Sequence, residues 1–224
     1  MDYSILHDSP LFSGLSSDEI NKVVAEVPHR IRKFKSGYMI AQSGEQVTSL
    51  MLVLSGSVKG EMVDIAGRVI KIEEIHASGA LAAAFLFGNK NRFPVNVIAI
   101  SETDLLIIEK TDFLKLLREY DMILVNFLDM ISNRSQFLSE KIKFLSFKTI
   151  KGKLAQFILQ RTGEDRTSFV LEMTQNDLAD FFGVARPSVA RALGEMKNEG
   201  MIEARGKKIS VLDSKKLAKL MAEL

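Results

Sequence analysis

Arg186 and Arg191 are the side chains in this sequence best suited to binding another molecule. Each guanidinium presents a planar fork of donors that fits O6 and N7 of guanine in the major groove of DNA. Ser188 and Ala190 lie between them, near the exposed N-terminal end of the same predicted helix. That end of a helix-turn-helix enters the major groove, so the pattern predicts DNA reading. An ordinary helical hairpin with solvated arginines is the alternative.

Two short helices joined by a glycine turn would hold these arginines in place. Thr174 can cap the first helix, with Asp177 in the capping-box position three residues later. Gly183 stops that helix where a left-handed residue is needed, and Pro187 is tolerated because it falls in the first turn of the second helix. Apolar residues at helical spacing form a buried face: Leu178, Phe181, Phe182, Val189, Leu193 and Met196.

The composition is that of an ordinary globular protein, with 46% apolar and 26% charged residues in 224. Residues 147–224 carry 14 Lys and Arg against 10 Asp and Glu, a net +4, whereas residues 1–146 carry 16 against 18, a net −2. A basic C-terminal third suits nucleic-acid binding by that part of the chain.

Several functional classes are excluded by what the sequence contains. It has no cysteine, which excludes disulfides, thiolate catalysis and a cysteine-held iron–sulfur cluster. The three scattered histidines, His7, His29 and His76, do not form a metal site. The longest apolar run, residues 80–87, cannot span a bilayer, and the N-terminus lacks a signal-peptide pattern. We expect a cytoplasmic protein with no membrane partner.

Residues 30–108 consist of short β-rich runs separated by glycine turns, which predicts a closed β-roll or sandwich. A long helical pattern follows from Lys110 to Ser146. A stripe at spacings of three and four runs along it: Leu124, Leu128, Ile131, Ser135, Leu138, Ile142 and Leu145. A second apolar stripe lies beside the first, and a helix apolar on two sides needs two partners. We therefore predict a homodimer through the first stripe; a single wide core face is the alternative.

The rest of the chain completes an α+β organisation. After a break at residues 146–148 comes a helix over residues 150–161 and then the two helices described above. Two short strands around Arg205, Gly206, Lys207 and Lys208 form a wing. The predicted division is a jelly-roll-like β-roll sensor domain over residues 1–110, a dimerisation helix over 111–146 and a winged helix-turn-helix over 147–224.

This order of elements resembles the CRP/FNR family of bacterial transcription factors over nearly the whole chain. The glycine-containing runs at residues 34–37, 43–45 and 54–58 resemble the family's β-roll signature, and residues 139–141 and 152–156 resemble its hinge. The resemblance implies a homodimer that binds double-stranded DNA at a palindromic operator and contacts RNA polymerase. Half-sites would lie about one helical turn apart.

The resemblance also assigns residues to DNA. Arg186 and Arg191 fall where the family reads base edges, and Lys207 and Lys208 where the wing reaches the DNA backbone. Phosphate contacts are implied for Thr174, Gln175, Asn176 and Ser188. Pro187 stands where many members carry a glutamate that accepts a hydrogen bond from cytosine, so we expect a different operator at that step.

The family's nucleotide-binding pattern is incomplete here. Ala80 occupies the position of the glutamate that binds ribose, and Arg92 lies in a longer loop and is followed by Phe93 and Pro94 rather than by a hydroxyl. Leu138 occupies the position of the long-helix hydroxyl, with Ser139 next to it. Each unsatisfied polar group of a bound nucleotide would cost about 1–3 kcal/mol. The sequence therefore argues against cyclic AMP, although a cyclic-nucleotide-responsive regulator stays an alternative.

An apolar set replaces the polar one: Ala80, Leu81, Ala82, Ala83, Ala84, Phe85, Leu86, Phe87, Pro94 and Val95. These residues either fill the roll, giving an effector-independent regulator, or bind a hydrophobic effector such as haem. Residues 85–95 also resemble the family's nitrosative-stress regulators of hybrid-cluster protein, some of which use haem and would respond to nitric oxide. His76 is the candidate axial ligand for haem.

Enzyme chemistry is not predicted. The sequence contains no nucleophile–base pair, paired carboxylates or phosphate loop. A regulatory cyclic-nucleotide domain of a kinase or channel does not account for the wing, and a cupin enzyme needs clustered histidines.

Overall fold

The structure is a computed structural model that describes residues 2–63, 67–145, 147, 149–162 and 167–222, except for the side chains of Lys143, Leu145 and Ala222. The chain forms two compact units, Met1–Asn133 and Arg134–Leu224, each with its own hydrophobic core. The predicted α+β class is confirmed. The three-part functional division stays a prediction, and Ser146 and Lys148 at its second boundary lie outside the described residues.

The first unit opens with two 3₁₀ turns and helix α1 (Ser17–Glu26). The Ser16 side chain accepts a hydrogen bond from the backbone N–H of Glu19, and the Glu19 carboxylate accepts one from the backbone N–H of Ser16. This capping box fixes the start of α1. The helix buries Ile20, Val23 and Val24 in the core of the unit.

Eight strands in the described part of this unit form two four-stranded antiparallel sheets. One sheet has the order β1-β8-β3-β6 and the other has the order β2-β7-β4-β5. Side chains that alternate along the strands fill the space between the sheets, and this confirms the predicted roll. The strands are β1 (Arg30–Phe34), β2 (Met39–Ala41), β3 (Ser49–Ser55), β4 (Ser57–Val63), β5 (Val69–His76), β6 (Ala80–Leu81), β7 (Asn96–Ala99) and β8 (Thr103–Glu109).

Gly56 makes the tight turn between β3 and β4. Its φ is +78°, and a Cβ there would lie 2.1 Å from the backbone oxygen of Glu102. Only glycine fits both the left-handed backbone and this close approach. The turn therefore fixes how β3 passes from one sheet into β4 of the other.

The predicted single helix over residues 110–146 is wrong in one respect. It is two helices, α2 (Lys110–Glu119) and α3 (Asp121–Leu145), separated by Tyr120 in an extended conformation. The Tyr120 hydroxyl donates a hydrogen bond to the carboxylate of Glu26 in α1. This contact lies 94 residues away in sequence, so helical periodicity alone could not predict the break.

The second unit contains the end of α3 and a small mixed domain. Its three-stranded sheet has the order β10-β11-β9. Four phenylalanines at its centre, Phe144, Phe157, Phe181 and Phe182, have ring centroids 5.1–6.2 Å apart. The elements are α4 (Ile150–Thr162), β9 (Ser168–Val170), α5 (Gln175–Phe182), α6 (Arg186–Asn198), β10 (Ile202–Arg205), β11 (Lys208–Val211) and α7 (Ser214–Ala222).

Across the described ranges, no helix combines the length and apolar character needed to cross a membrane.

Candidate DNA-binding surface and effector cavity

The first helix of the predicted helix-turn-helix, α5, is fixed by its N-terminal cap. The Thr174 side chain accepts from the backbone N–H of Asp177 at 3.2 Å, and the Asp177 carboxylate accepts from the backbone N–H of Thr174 at 2.8 Å. This second bond is the main reason that the pKa of Asp177 lies below its usual value. The predicted capping box is confirmed.

The turn between α5 and α6 depends on Gly183, whose φ is +65° and ψ +40°. This left-handed residue ends α5 and lets the backbone N–H of Val184 donate to the oxygen of Ala179 at 2.9 Å. α6 then begins at Arg186, with Pro187 in its first turn. Its other face buries Val189, Ala192 and Met196 against α5 and the rest of the core.

This packing leaves the start of α6 open to solvent. Arg186, Pro187, Ala190 and Arg191 are exposed, and Ser188 is half-buried. In the part of the chain that the structure describes, neither arginine forms an ion pair within 4.0 Å. The two guanidinium groups are therefore available to an external acceptor. The alternative of solvated arginines on a plain hairpin does not explain the capped helix, tight turn and wing that accompany them.

The remaining predicted DNA contacts are also on the surface. Thr174, Gln175 and Asn176 are exposed at the start of α5, where free backbone N–H groups favour a phosphate. Lys207 and Lys208 are exposed at the turn between β10 and β11, where Gly206 has a φ of +59°. Sequence reasoning did not foresee that the wing residue Arg205 pairs with Glu203 at 2.8 Å.

The predicted dimer stripe is only partly exposed. Leu124 and Ile131 pack against the core of the first unit, whereas Leu128, Leu138 and Ile142 are 53%, 46% and 69% exposed. Ser135 is exposed, and the side chain of Leu145 lies outside the described residues. Met122 and Val125, which the sequence reasoning omitted, are further exposed apolar residues of α3. The second stripe comprises Phe127, Met130, Arg134 and Phe137. Of these, Phe127 is buried in the roll core.

The roll contains a cavity of about 360 Å³, including its open mouth. Five residues of the predicted apolar set line it: Leu81, Ala82, Phe85, Pro94 and Val95. The others are contributed by strands or loops that the sequence analysis did not assign to the cavity: Val58, Gly60, Glu73, Ile75, Phe93 and Val97. Burial alternates along β4 and includes Val58 and Gly60, so the two-residue period was a signal for these two residues. β5 is exposed along most of its length and carries no such signal.

Three predicted effector residues are engaged elsewhere. The Arg92 guanidinium donates to the backbone oxygen of Gly44 at 2.6 Å and holds its own loop. Phe87 packs on Phe113 and Phe127 in the core. The side chain of His76 is 71% exposed and lies 3.5 Å from Glu74. Ala80, half-buried in β6, is next to the lining residue Leu81.

Two further predicted effector residues, Leu138 and Ser139, belong to the second unit. Both are exposed on α3, and the Ser139 hydroxyl donates to the backbone oxygen of Ser135 at 2.9 Å. The hydroxyl is thus used within its own helix.

The residues that line the cavity do not suit cyclic AMP or haem. Glu73 is the only ionisable residue in the described lining, which contains no arginine or lysine to pair with a cyclic phosphate. No histidine, methionine or tyrosine in the described lining could serve as the axial ligand of a haem iron. Within the described residues, no group of three or more His, Asp or Glu could hold a metal ion.

Comparison with known proteins gives two adjacent family matches. Residues 31–120 match the cyclic nucleotide-binding domain, and residues 152–220 match the Crp-like helix-turn-helix domain. The chain is 23% identical to the Cyclic AMP receptor protein of Thermus thermophilus, covering 87% of this chain and 88% of that protein. It is 26% identical to Electron transport regulator A of Shewanella oneidensis, covering 91% of this chain and 82% of that protein.

A solved structure shows the same fold. The Thermus thermophilus catabolite activator protein superimposes with a TM-score of 0.55 at 22% identity, covering 96% of this chain and 99% of that one. The predicted order of a β-roll, a long helix and a helix-turn-helix is confirmed.

Proposed function

Because the chain belongs to the CRP/FNR family of DNA-binding transcriptional regulators, which are not enzymes, we propose that it acts as a homodimer on a palindromic operator. The observation that supports this most strongly is the exposed pair of arginines at the start of α6, which the capped helix α5 and the Gly183 turn hold in place. A regulator of this kind would work in the cytoplasm and act on transcription through RNA polymerase.

In the proposed complex, Arg186 and Arg191 donate hydrogen bonds to base edges in the major groove. Thr174, Gln175, Asn176 and Ser188 hold phosphates, and Lys207 and Lys208 hold the backbone from the wing. Pro187 and Ala190 contribute no donor, so they shape the contact by excluding water and by apolar contact with thymine methyl groups. The two-fold relation between protomers would come from α3, through Leu128, Ser135, Leu138 and Ile142, which are exposed in the single chain.

Selection from a library of random duplexes tests this proposal. The purified full chain should enrich an inverted repeat whose half-sites are about 10 base pairs apart, because two α6 tips enter successive major grooves on one face of the duplex. A library that stays unenriched at about 0.1 M salt would overturn the proposal, because electrostatic attraction alone does not select sequence.

For the effector, we propose a small, uncharged and largely apolar molecule rather than cyclic AMP or haem. The support is the lining of the roll cavity, which is aliphatic and aromatic apart from Glu73. One lining residue, Ala82, has a φ of +48°. A left-handed conformation at a residue other than glycine costs about 1–2 kcal/mol and often marks a ligand-binding segment.

A neutral fluorescent dye such as Nile red tests the cavity. We expect one molecule to bind per chain and Val95→Phe to weaken binding by about tenfold, since the larger ring occupies ligand space. Val69→Phe, on the exposed strand β5, serves as the control. Equal dye binding by both variants would contradict the proposal. Absence of any binding, together with operator binding by the ligand-free protein, would favour an effector-independent regulator.

Haem is tested by adding one equivalent, followed by nitric oxide, and recording the absorption spectrum. The proposal predicts no shift of the Soret band from that of free haem. A shift that His76→Ala removes would restore the haem hypothesis.

A further inference from the structure

Lys153 is a buried cation at the start of α4. Only 8% of the residue is exposed, and its Nζ donates to the backbone oxygen of Phe182 at 3.0 Å. Phe182 is the last residue of α5. Carbonyl groups at a helix C-terminus lack helical partners and carry the negative end of the helix dipole, so they favour a cation. Lys153 therefore fastens α4 to the end of α5, next to the turn at Gly183.

Lys151 makes a similar connection to the C-terminal end of α6. Its Nζ lies 2.8 Å from a carboxylate oxygen of Glu195 and 2.8 Å from one of Glu199. These two acids are one turn apart at the C-terminal end of α6, where negative charge is unfavourable without a cation. The same two bonds raise the pKa of Lys151, with the Glu195 bond the larger cause.

Gly152, between the two lysines, allows α4 to approach α7 closely. A Cβ on Gly152 would lie 3.0 Å from the backbone oxygen of Leu220 and 2.9 Å from the hydroxyl oxygen of Thr149. Successive residues of a helix point about 100° apart. Three consecutive residues of α4 thus contact three different helices, α5, α6 and α7.

We propose that Lys151 and Lys153 are positioning residues for base recognition, an inference that rests on the proposed DNA-binding function. They hold the C-terminal end of α5 and the C-terminal end of α6 on α4, and so set the angle at which Arg186 and Arg191 are presented. A bidentate contact with guanine requires correct orientation, whereas a phosphate contact tolerates movement. Removal of either lysine should therefore reduce discrimination between sequences more than it reduces affinity for DNA in general.

The test uses full-length Lys153→Met, which keeps the aliphatic stem and removes the amine. Binding is measured on an operator selected by the wild-type protein and on a random duplex of equal length. We expect the operator Kd to rise by about tenfold and the random-duplex Kd by less than about twofold, with the salt dependence unchanged because no phosphate contact is lost. Parallel rises in both Kd values, or no change in either, would overturn the inference for this residue.

Lys151→Gln provides the same test at a more exposed position, in case Lys153→Met fails to fold. The matched control is Lys197→Gln, which removes the same charge from an exposed lysine of α6. Lys151→Glu should also lose discrimination, and combining it with Glu195→Lys and Glu199→Lys should restore part of it. No loss in Lys151→Gln, or a loss that the charge exchange does not reverse at all, would contradict positioning through this ion pair.

The outcomes separate this inference from the proposed function. A wild-type protein that selects no sequence refutes DNA reading itself. A wild-type protein that selects an operator, with lysine variants that discriminate as well as it does, refutes only the positioning role.

Discussion

The α6 tip, which is the exposed start of α6 with Arg186 and Arg191, presents charged groups to solvent, whereas the roll cavity is lined mainly by apolar side chains. At the tip, two arginines project into solvent from a helix that Gly183 and a phenylalanine core hold in place. Among the described residues that line the cavity, Glu73 is the only ionisable one beside aliphatic and aromatic side chains. Charged groups at fixed positions indicate which partner they bind, whereas an apolar lining specifies mainly size and shape. The molecule's partner can therefore be inferred more closely than its effector.

The roll also shows that a domain can share a family's fold without sharing the side chains that bind the family's ligand. Residues 31–120 match the cyclic nucleotide-binding domain, yet the guanidinium of Arg92 is used by the backbone of Gly44. The fold match reflects strand pairing and core packing, which do not require the nucleotide-binding side chains.

The largest effect should come from the α3 seam, the exposed stripe of α3 through which we propose that two chains pair. The tip of α6 can read a palindrome only if two copies are held together. Leu138→Asp should reduce operator affinity by about 100-fold or more, since each half-site is then bound separately. Mobility-shift titration measures this effect. The matched control is Gln136→Asp, which adds the same charge two residues away on an exposed polar position. Equal affinities in the two variants would show that α3 does not pair through this seam.

A smaller effect should come from the tip itself. Arg191→Ala should cost about 1–3 kcal/mol on the selected operator and relax the base preference at one position of each half-site, because a bidentate contact is lost. Competition with single-base operator variants measures both changes. Lys197→Ala, further along α6, removes the same charge as a control. Undiminished base preference in Arg191→Ala would remove this residue from the reading surface.

The wing should affect all DNA sequences alike. Lys207→Ala and Lys208→Ala should each lower the slope of log Kd against log salt concentration by about one, because each removes one phosphate contact. Titrations of operator and random duplex at several salt concentrations give the slopes. Lys219→Ala, on an exposed face of α7, should leave both slopes as they are. A loss confined to the operator would mean that the wing reads bases.

The smallest effect should come from the N-cap of α5, the helix that supports the α6 tip. Thr174→Ala removes the N-cap of α5 and should lower the free energy of unfolding by about 0.5–2 kcal/mol. Thermal unfolding measures this change.

Asp177 has a folded-state pKa below its usual value, so its contribution to the free energy of unfolding is present above the usual carboxyl pKa and is lost as pH falls through the folded pKa. The difference in stability between wild type and Asp177→Asn should therefore shrink as pH falls below 3.8, and the two should converge below the folded pKa of Asp177. A difference that persists in acid would assign the stabilisation to another source.

Local features were predictable from the sequence. The cap at Thr174 and Asp177, the turn at Gly183 and the exposed arginines of α6 all depend on residues within one or two turns of each other. The exposed lysines of the wing follow in the same way from a glycine turn between two short strands. These relations do not require knowledge of the rest of the chain.

Features that depend on distant partners were missed. Tyr120, where the long helix is interrupted, bonds to Glu26, 94 residues away, and Arg92 bonds to Gly44, 48 residues away. Gly60 and Glu73 line the cavity only because β4 pairs with β5. The burial of Lys153 could not be predicted from its neighbours, because its carbonyl partner comes from a helix 29 residues later in the chain.

Sedimentation equilibrium of the protein with a duplex that carries one selected palindrome tests the central claim most directly. The account predicts a complex of two chains per duplex, and one chain per duplex when Leu138 is replaced by Asp. A wild-type complex that holds a single chain at saturating protein concentration would contradict it.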